Sequence, residues 1–242
     1  MTSRIAHKRE RLDVAPAALL SRLPAIGRLM IGSERLGATH ERIGPVEKVR
    51  VEDGWIVCEG AGHDSRIELA AIAGIVVDRT SVMREKSYPR IELRSRDGQA
   101  IANVTGFEGL EPFDAVLSAF PQGTALELQE GRARGPDGHG DLDGEDAGLA
   151  PFAAAERAAG RVTIELTRPS FRQAWVGDIP AVKPAMGFIN IIRPDFHLHL
   201  KGGSVSGWRR TAGEGRLRFA ALAADGGEET GLVVSGASAS FG

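Results

Sequence analysis

Two histidines two residues apart, His197 and His199, alternate with Phe196, Leu198 and Leu200. In an extended chain this spacing puts both imidazoles on one face and the three apolar side chains on the other. Such a pair is suited to a metal, although two imidazoles alone leave a zinc site short of donors. The plain alternative is a hydrogen-bonded histidine pair on the polar face of a half-buried strand. His40 stands next to Glu41, but neighbours on a strand point to opposite faces, so a structural use of His40 is expected. Tyr88, the one tyrosine, enters a strand and reads as a packed ring with a satisfied hydroxyl. Arg66 lies in a strand-like segment, where an arginine ordinarily makes a surface ion pair. Arg209 and Arg210 offer guanidinium groups to carboxylates, one of the two facing inward. Cys58, in the apolar run WIVC, reads as a small buried hydrophobe.

The elements that must position these residues are mostly strands. From Ile26 to Thr105 and again from Val162 to Ser235, short apolar segments alternate with glycines, a period-2 pattern with turn punctuation. The Asp-Gly pairs at 53–54 and 97–98 are hairpin turn signals. Asp13 ahead of VAPAALLSRL marks a short amphipathic helix, and Leu110, Phe113, Val116, Leu117 and Phe120 mark a second one at helical spacing. The chain also repeats itself: Gly44, Gly54, Arg66 and Gly74 fall, at one offset of 133 positions, on Gly177, Gly187, His199 and Gly207. The expected fold class is therefore α+β, with two structurally related repeats, each a mainly antiparallel β-sheet with few flanking helices. The expected boundaries are a first repeat over 1–120, a Gly/Asp-rich exposed linker over 121–160 and a second repeat over 161–242.

Composition narrows the function. The formal net charge of −2 provides no overall field for nucleic acid or an anionic membrane, so neither is an expected partner. A single cysteine allows no intrachain disulfide. The longest nearly apolar run, LAAIAGIVV at 69–77, falls far short of the roughly 20 residues that span a bilayer. The amino terminus lacks the apolar stretch of a secretion signal, and a cytoplasmic location is the expectation. Dinucleotide, P-loop, HExxH and GxSxG signatures are missing.

Several stretches resemble the bacterial haemin-degrading and haem-utilisation family (HemS/ChuX-like). ATHERIGPVEKV carries its His-Glu pair followed by Gly, at His40, Glu41 and Gly44; YPRIELRSRDGQAIANV is similar to its hairpin. In the second half, Gln173, Gly177, Asn190, Pro194, His199 and Trp208 fall in place, and PDFHLHL is the most specific block.

The resemblance implies haem as ligand or substrate and a part in haem iron acquisition, as carrier or store. In the duplicated members a histidine holds one face of the haem and an arginine of the first half the other; that arginine matches Arg66, whose fixed charge suits a distal group. The family's connector histidine motif is missing, and the connector here holds only His139. His197 and His199 are then the candidate axial ligands, with Arg209 or Arg210 for propionates, and Tyr88 and His40 as further haem-side candidates. If the chain is an enzyme, the resemblance implies a haem-degrading oxygenase type fed with electrons by an external reductase. The other reading is a diverged, non-catalytic duplicated scaffold that has lost haem and binds another small apolar ligand or a protein partner.

Overall fold

The offset of 133 read from the glycines is carried by whole strands. The computed structural model describes residues 7–128 and 142–242; His139 lies outside them. The first repeat runs through β1 (Arg9–Leu12), α1 (Pro16–Leu20), β2 (Arg28–Arg35), β3 (Ala38–Pro45), β4 (Lys48–Glu52), β5 (Trp55–Gly60), β6 (His63–Glu68) and β7 (Gly74–Asp78). It continues with the small hairpin β8 (Val82–Met83) and β9 (Lys86–Ser87), then β10 (Arg90–Arg94), β11 (Ala100–Gly106), α2 (Leu110–Leu117) and β12 (Thr124–Ala125). The second opens with α3 (Ala150–Arg157), then β13 (Arg161–Arg168), β14 (Phe171–Asp178), β15 (Lys183–Ala185), β16 (Phe188–Arg193), β17 (Phe196–Lys201), β18 (Val205–Gly213), β19 (Arg216–Ala223) and β20 (Glu229–Ala237). β2 and β13, β3 and β14, β5 and β16, and β6 and β17 each begin and end 133 positions apart.

The repeated turn has a backbone cause. Asp53 and Gly54, between β4 and β5, have φ of 49° and 80°; Met186 and Gly187, between β15 and β16, have φ of 52° and 74°. Two consecutive positive φ values are the signature of the two-residue turn that matches strand twist, and glycine takes the second position without strain.

By contacts the chain forms two compact units, Met1–Ser33 with Arg42–Ala133, and Glu34–Glu41 with Arg134–Gly242. The tip of the β2–β3 hairpin thus belongs to the second unit. Within the first unit the strands lie in the orders β12-β1-β7-β10-β11-β2 and β6-β5-β4; within the second, β18-β19-β20-β13-β14 and β3-β17-β16-β15. The pairings within these orders include β1 with β7 and β16 with β17, both antiparallel.

Alternation decides what each strand buries. In β17, Phe196, Leu198 and Leu200 are buried while His197 and His199 are half-buried on the other face. The second unit's core gathers Phe152, Ile164, Leu166, Trp175, Phe196 and Leu198, with Trp175 stacked on Phe196 at a centroid distance of 4.5 Å. The indole N–H of Trp175 still finds a partner, Asp195 Oδ2 at 3.0 Å. In the first unit α2 packs on the Leu23–Ile26 turn and buries Phe113, Val116 and Leu117.

The stretch 121–160, expected as exposed linker, needs correction. β12 pairs with β1, and α3 places Phe152 at 0% exposure with an edge-to-face contact to Trp208 at 5.6 Å. Alanine supplies half of this helix, so it carries little apolar periodicity while having the highest helix propensity, and its proline sits in the first turn where no N–H is needed.

Candidate functional site

β17 presents His197 and His199 side by side, ring centroids 5.9 Å apart and nearly perpendicular. Their neighbour is the Ala38–Glu41 half of β3, anchored where the Lys201 amide donates to the Gly37 carbonyl at 2.8 Å. Four residues further along β3, and four back along β17, this pairing sets Glu41 beside His197. Glu41 Oε2 lies 3.3 Å from His197 Nδ1 and 3.8 Å from His199 Nε2. One donor atom from each of the three residues falls within 4.8 Å of the other two. The side chains are 18% (Glu41), 29% (His197) and 34% (His199) exposed, so the cluster is partly shielded and open on one side.

Asn190 fixes the tautomer of His199. Its Nδ2 donates to the carbonyls of Lys183, Ala185 and Phe188 at 3.0, 3.3 and 3.1 Å, so its Oδ1 must face His199 Nδ1, 2.6 Å away. An amide oxygen only accepts; Nδ1 therefore carries the hydrogen, and the Nε2 lone pair points toward Glu41. Burial lowers the pKa of His199, Glu41 pulls it back up and His197 pushes it down.

The other sequence candidates are not brought into this cluster. His40, on β3 next to Glu41 but facing the core, is fully buried. Its Nε2 lies 3.1 Å from the Ile164 carbonyl and its Nδ1 2.9 Å from Gln173 Oε1, so both nitrogens are engaged within the core. Arg209 is held by Glu229 at 2.7 Å. Tyr88 packs edge-on against Phe107 at 5.7 Å. Arg66 is half-buried on β6. Its neighbour Glu59 is clamped by Arg50 through two bonds of 3.1 Å, and Arg66 is the weakest influence on that carboxylate. Burial, helped by Glu59, pushes the Cys58 thiol up to about 12, so it is inert at neutral pH.

Sequence reasoning missed Glu41 and Asn190. Glu41 faces away from His40, as adjacent strand residues must, and only the pairing of β3 with β17 shows that this direction leads to His197. Asn190 is the cross-strand partner of His199, a relation readable only once the β16–β17 hairpin register is known.

Comparison with solved structures places this architecture. ChuS, a heme oxygenase of E. coli, matches with a TM-score of 0.73 at 17% identity, over 95% of this chain and 83% of its own. Holo-PhuS, a heme-binding protein from Pseudomonas aeruginosa, matches with a TM-score of 0.74 at 20% identity, over 95% and 82%. The chain has the fold of ChuS and PhuS. Apo-PhuS gives the same picture, with a TM-score of 0.73 at 18% identity. No family profile matches the sequence, and no curated protein matches it. Among the described residues no helix is long and apolar enough to cross a membrane.

Proposed function

We propose that this chain binds haem and serves haem iron acquisition as a cytoplasmic carrier or store. The observation that carries the reading is the likeness of fold, along 95% of the chain, to one heme oxygenase and one heme-binding protein.

The residues present fit the group in part. Haem would supply an iron that takes an axial ligand on each face. An imidazole with one nitrogen committed to a fixed acceptor and the other presenting its lone pair is a well-oriented iron ligand, and His199 on Asn190 has that form. We assign the proximal role to this pair, His199 ahead of His197. Arg66 brings a charge that cannot be lost by deprotonation. Arg209, bound to Glu229, would have to break that pair to reach a propionate, and His40 has no nitrogen to offer. A degrading activity would require an external reductase, and we keep it as the finer part of the proposal.

Haemin titration of variants tests it: Arg66→Ala and His199→Ala each weaken saturable binding at least tenfold, whereas Arg209→Ala leaves it within twofold. Adding a reductant and finding loss of the Soret band would separate an oxygenase from a carrier.

A further inference from the structure

We infer that Glu41, His197 and His199 form a site for one divalent first-row transition-metal ion, of the zinc or ferrous class, held directly by the protein and outside any porphyrin.

The donor set comes first. Two imidazoles and one carboxylate make the combination that takes zinc in hydrolytic sites and ferrous iron in non-haem oxygenases, with the remaining positions left to water or substrate. An ion with metal–ligand bonds of about 2.1 Å holds its donors roughly 3.0 to 3.4 Å apart. The carboxylate oxygen already stands 3.3 and 3.8 Å from its two partners, close to that spacing.

The tautomer comes second. With Nδ1–H given to Asn190, His199 turns a lone pair toward Glu41 Oε2, itself an acceptor, across 3.8 Å. Two acceptors face each other, an arrangement that a bound cation would relieve. The backbone carbonyls that hold the Asn190 amide prevent the ring from escaping by switching its hydrogen. An outer hydrogen bond of this kind is what orients a metal-ligating imidazole.

The arrangement also differs from what haem demands. A porphyrin fills the four equatorial positions of its iron and leaves two that are opposite each other, whereas these donors converge from one side. All three can serve a bare ion, and at most one can serve a haem iron.

The internal repeat provides a built-in comparison. At the same offset of 133, the places of Glu41, His197 and His199 are held by Ala174, Asp64 and Arg66. The first repeat keeps the strands but has a guanidinium where the second has its tautomer-locked imidazole. The fold therefore does not require the triad, which Glu41 of the first repeat makes with His197 and His199 of the second.

The inference concerns the haem-free chain and does not rest on haem binding. Full-length protein stripped with a chelator is titrated with Co2+, followed by its visible absorption, and the ion is then displaced with Zn2+. One equivalent binds and is displaced. His197→Ala and His199→Ala remove saturable binding, Glu41→Gln weakens it at least tenfold, and Asn190→Ala weakens it about 10- to 100-fold. Circular dichroism checks the fold of each variant, and the nearly isosteric Glu41→Gln keeps the test decisive if a histidine variant does not fold. Absence of saturable Co2+ binding by the wild type, or unchanged affinity in a folded Glu41→Gln, overturns the assignment. The Co2+ titration is made without haemin, so its failure is distinct from a failure of the haemin titration.

Discussion

His40 and Gln173 hold equivalent places in the two repeats, 133 positions apart, and they touch: Nδ1 of the imidazole lies 2.9 Å from the amide of its own counterpart. Both are fully buried, and the ring also packs against Phe196 at 4.8 Å. The duplication has thus put a polar pair into the core. His40→Ala or Gln173→Ala leaves a buried polar group short of a partner and is expected to cost about 1–3 kcal/mol. The double variant costs less than the two added together. Urea unfolding of the four proteins measures this; strict additivity would show that the contact contributes nothing of its own.

His63 makes the protein acid-sensitive in a defined window. It is 3% exposed, its Nε2–H donates to the Gly44 carbonyl at 3.0 Å, and burial lowers its pKa to about 4, with Arg42 adding to the effect. The unfolded chain, with a histidine near 6.5, takes up the proton first. Stability is accordingly flat above pH 6.5 and falls as the pH drops toward 4, by about 3 kcal/mol from this residue alone. His63→Gln reduces the slope between pH 6.5 and 4.5, read from unfolding midpoints across that range. An unchanged slope in the variant would assign the sensitivity to other groups.

A buried charge cluster in the first unit makes a contrasting prediction. Glu10 is 0% exposed; its Oε1 meets Arg79 at 2.9 Å, its Oε2 accepts the Gly123 amide at 2.9 Å, and Arg79 also reaches Asp114 at 2.7 Å. Arg79→Met strands the Glu10 carboxylate and costs about 3–5 kcal/mol, whereas Arg79→Met with Glu10→Leu recovers most of that loss. Thermal unfolding of the single and double variants checks it. A double variant as unstable as the single one would mean that the pair is doing more than neutralising itself.

These cases show what the sequence made legible. Period-2 patterning and turn residues located most strands, because a half-buried strand leaves its alternation in the chain, and the Asp53-Gly54 turn was readable because only a few residue types accept its backbone. β1 escaped for the opposite reason. Its Arg9 and Glu10 are buried by pairing with Asp78 and Arg79, so polarity no longer reports exposure. α3 escaped because alanine builds a helix without marking a face. At the candidate site, the alternation of His197 and His199 was visible in six residues of sequence, while Glu41 arrives from a strand more than 150 positions away. No local pattern encodes that meeting; the pairing of β3 with β17 creates it.

The account turns on haem, and a Soret titration of the purified full-length chain with haemin tests it most directly. The expected result is a sharp band that saturates at one equivalent and is weakened by Arg66→Ala. A shallow rise that never saturates, identical in the wild type and in Arg66→Ala, would contradict it and leave a duplicated scaffold that no longer carries haem.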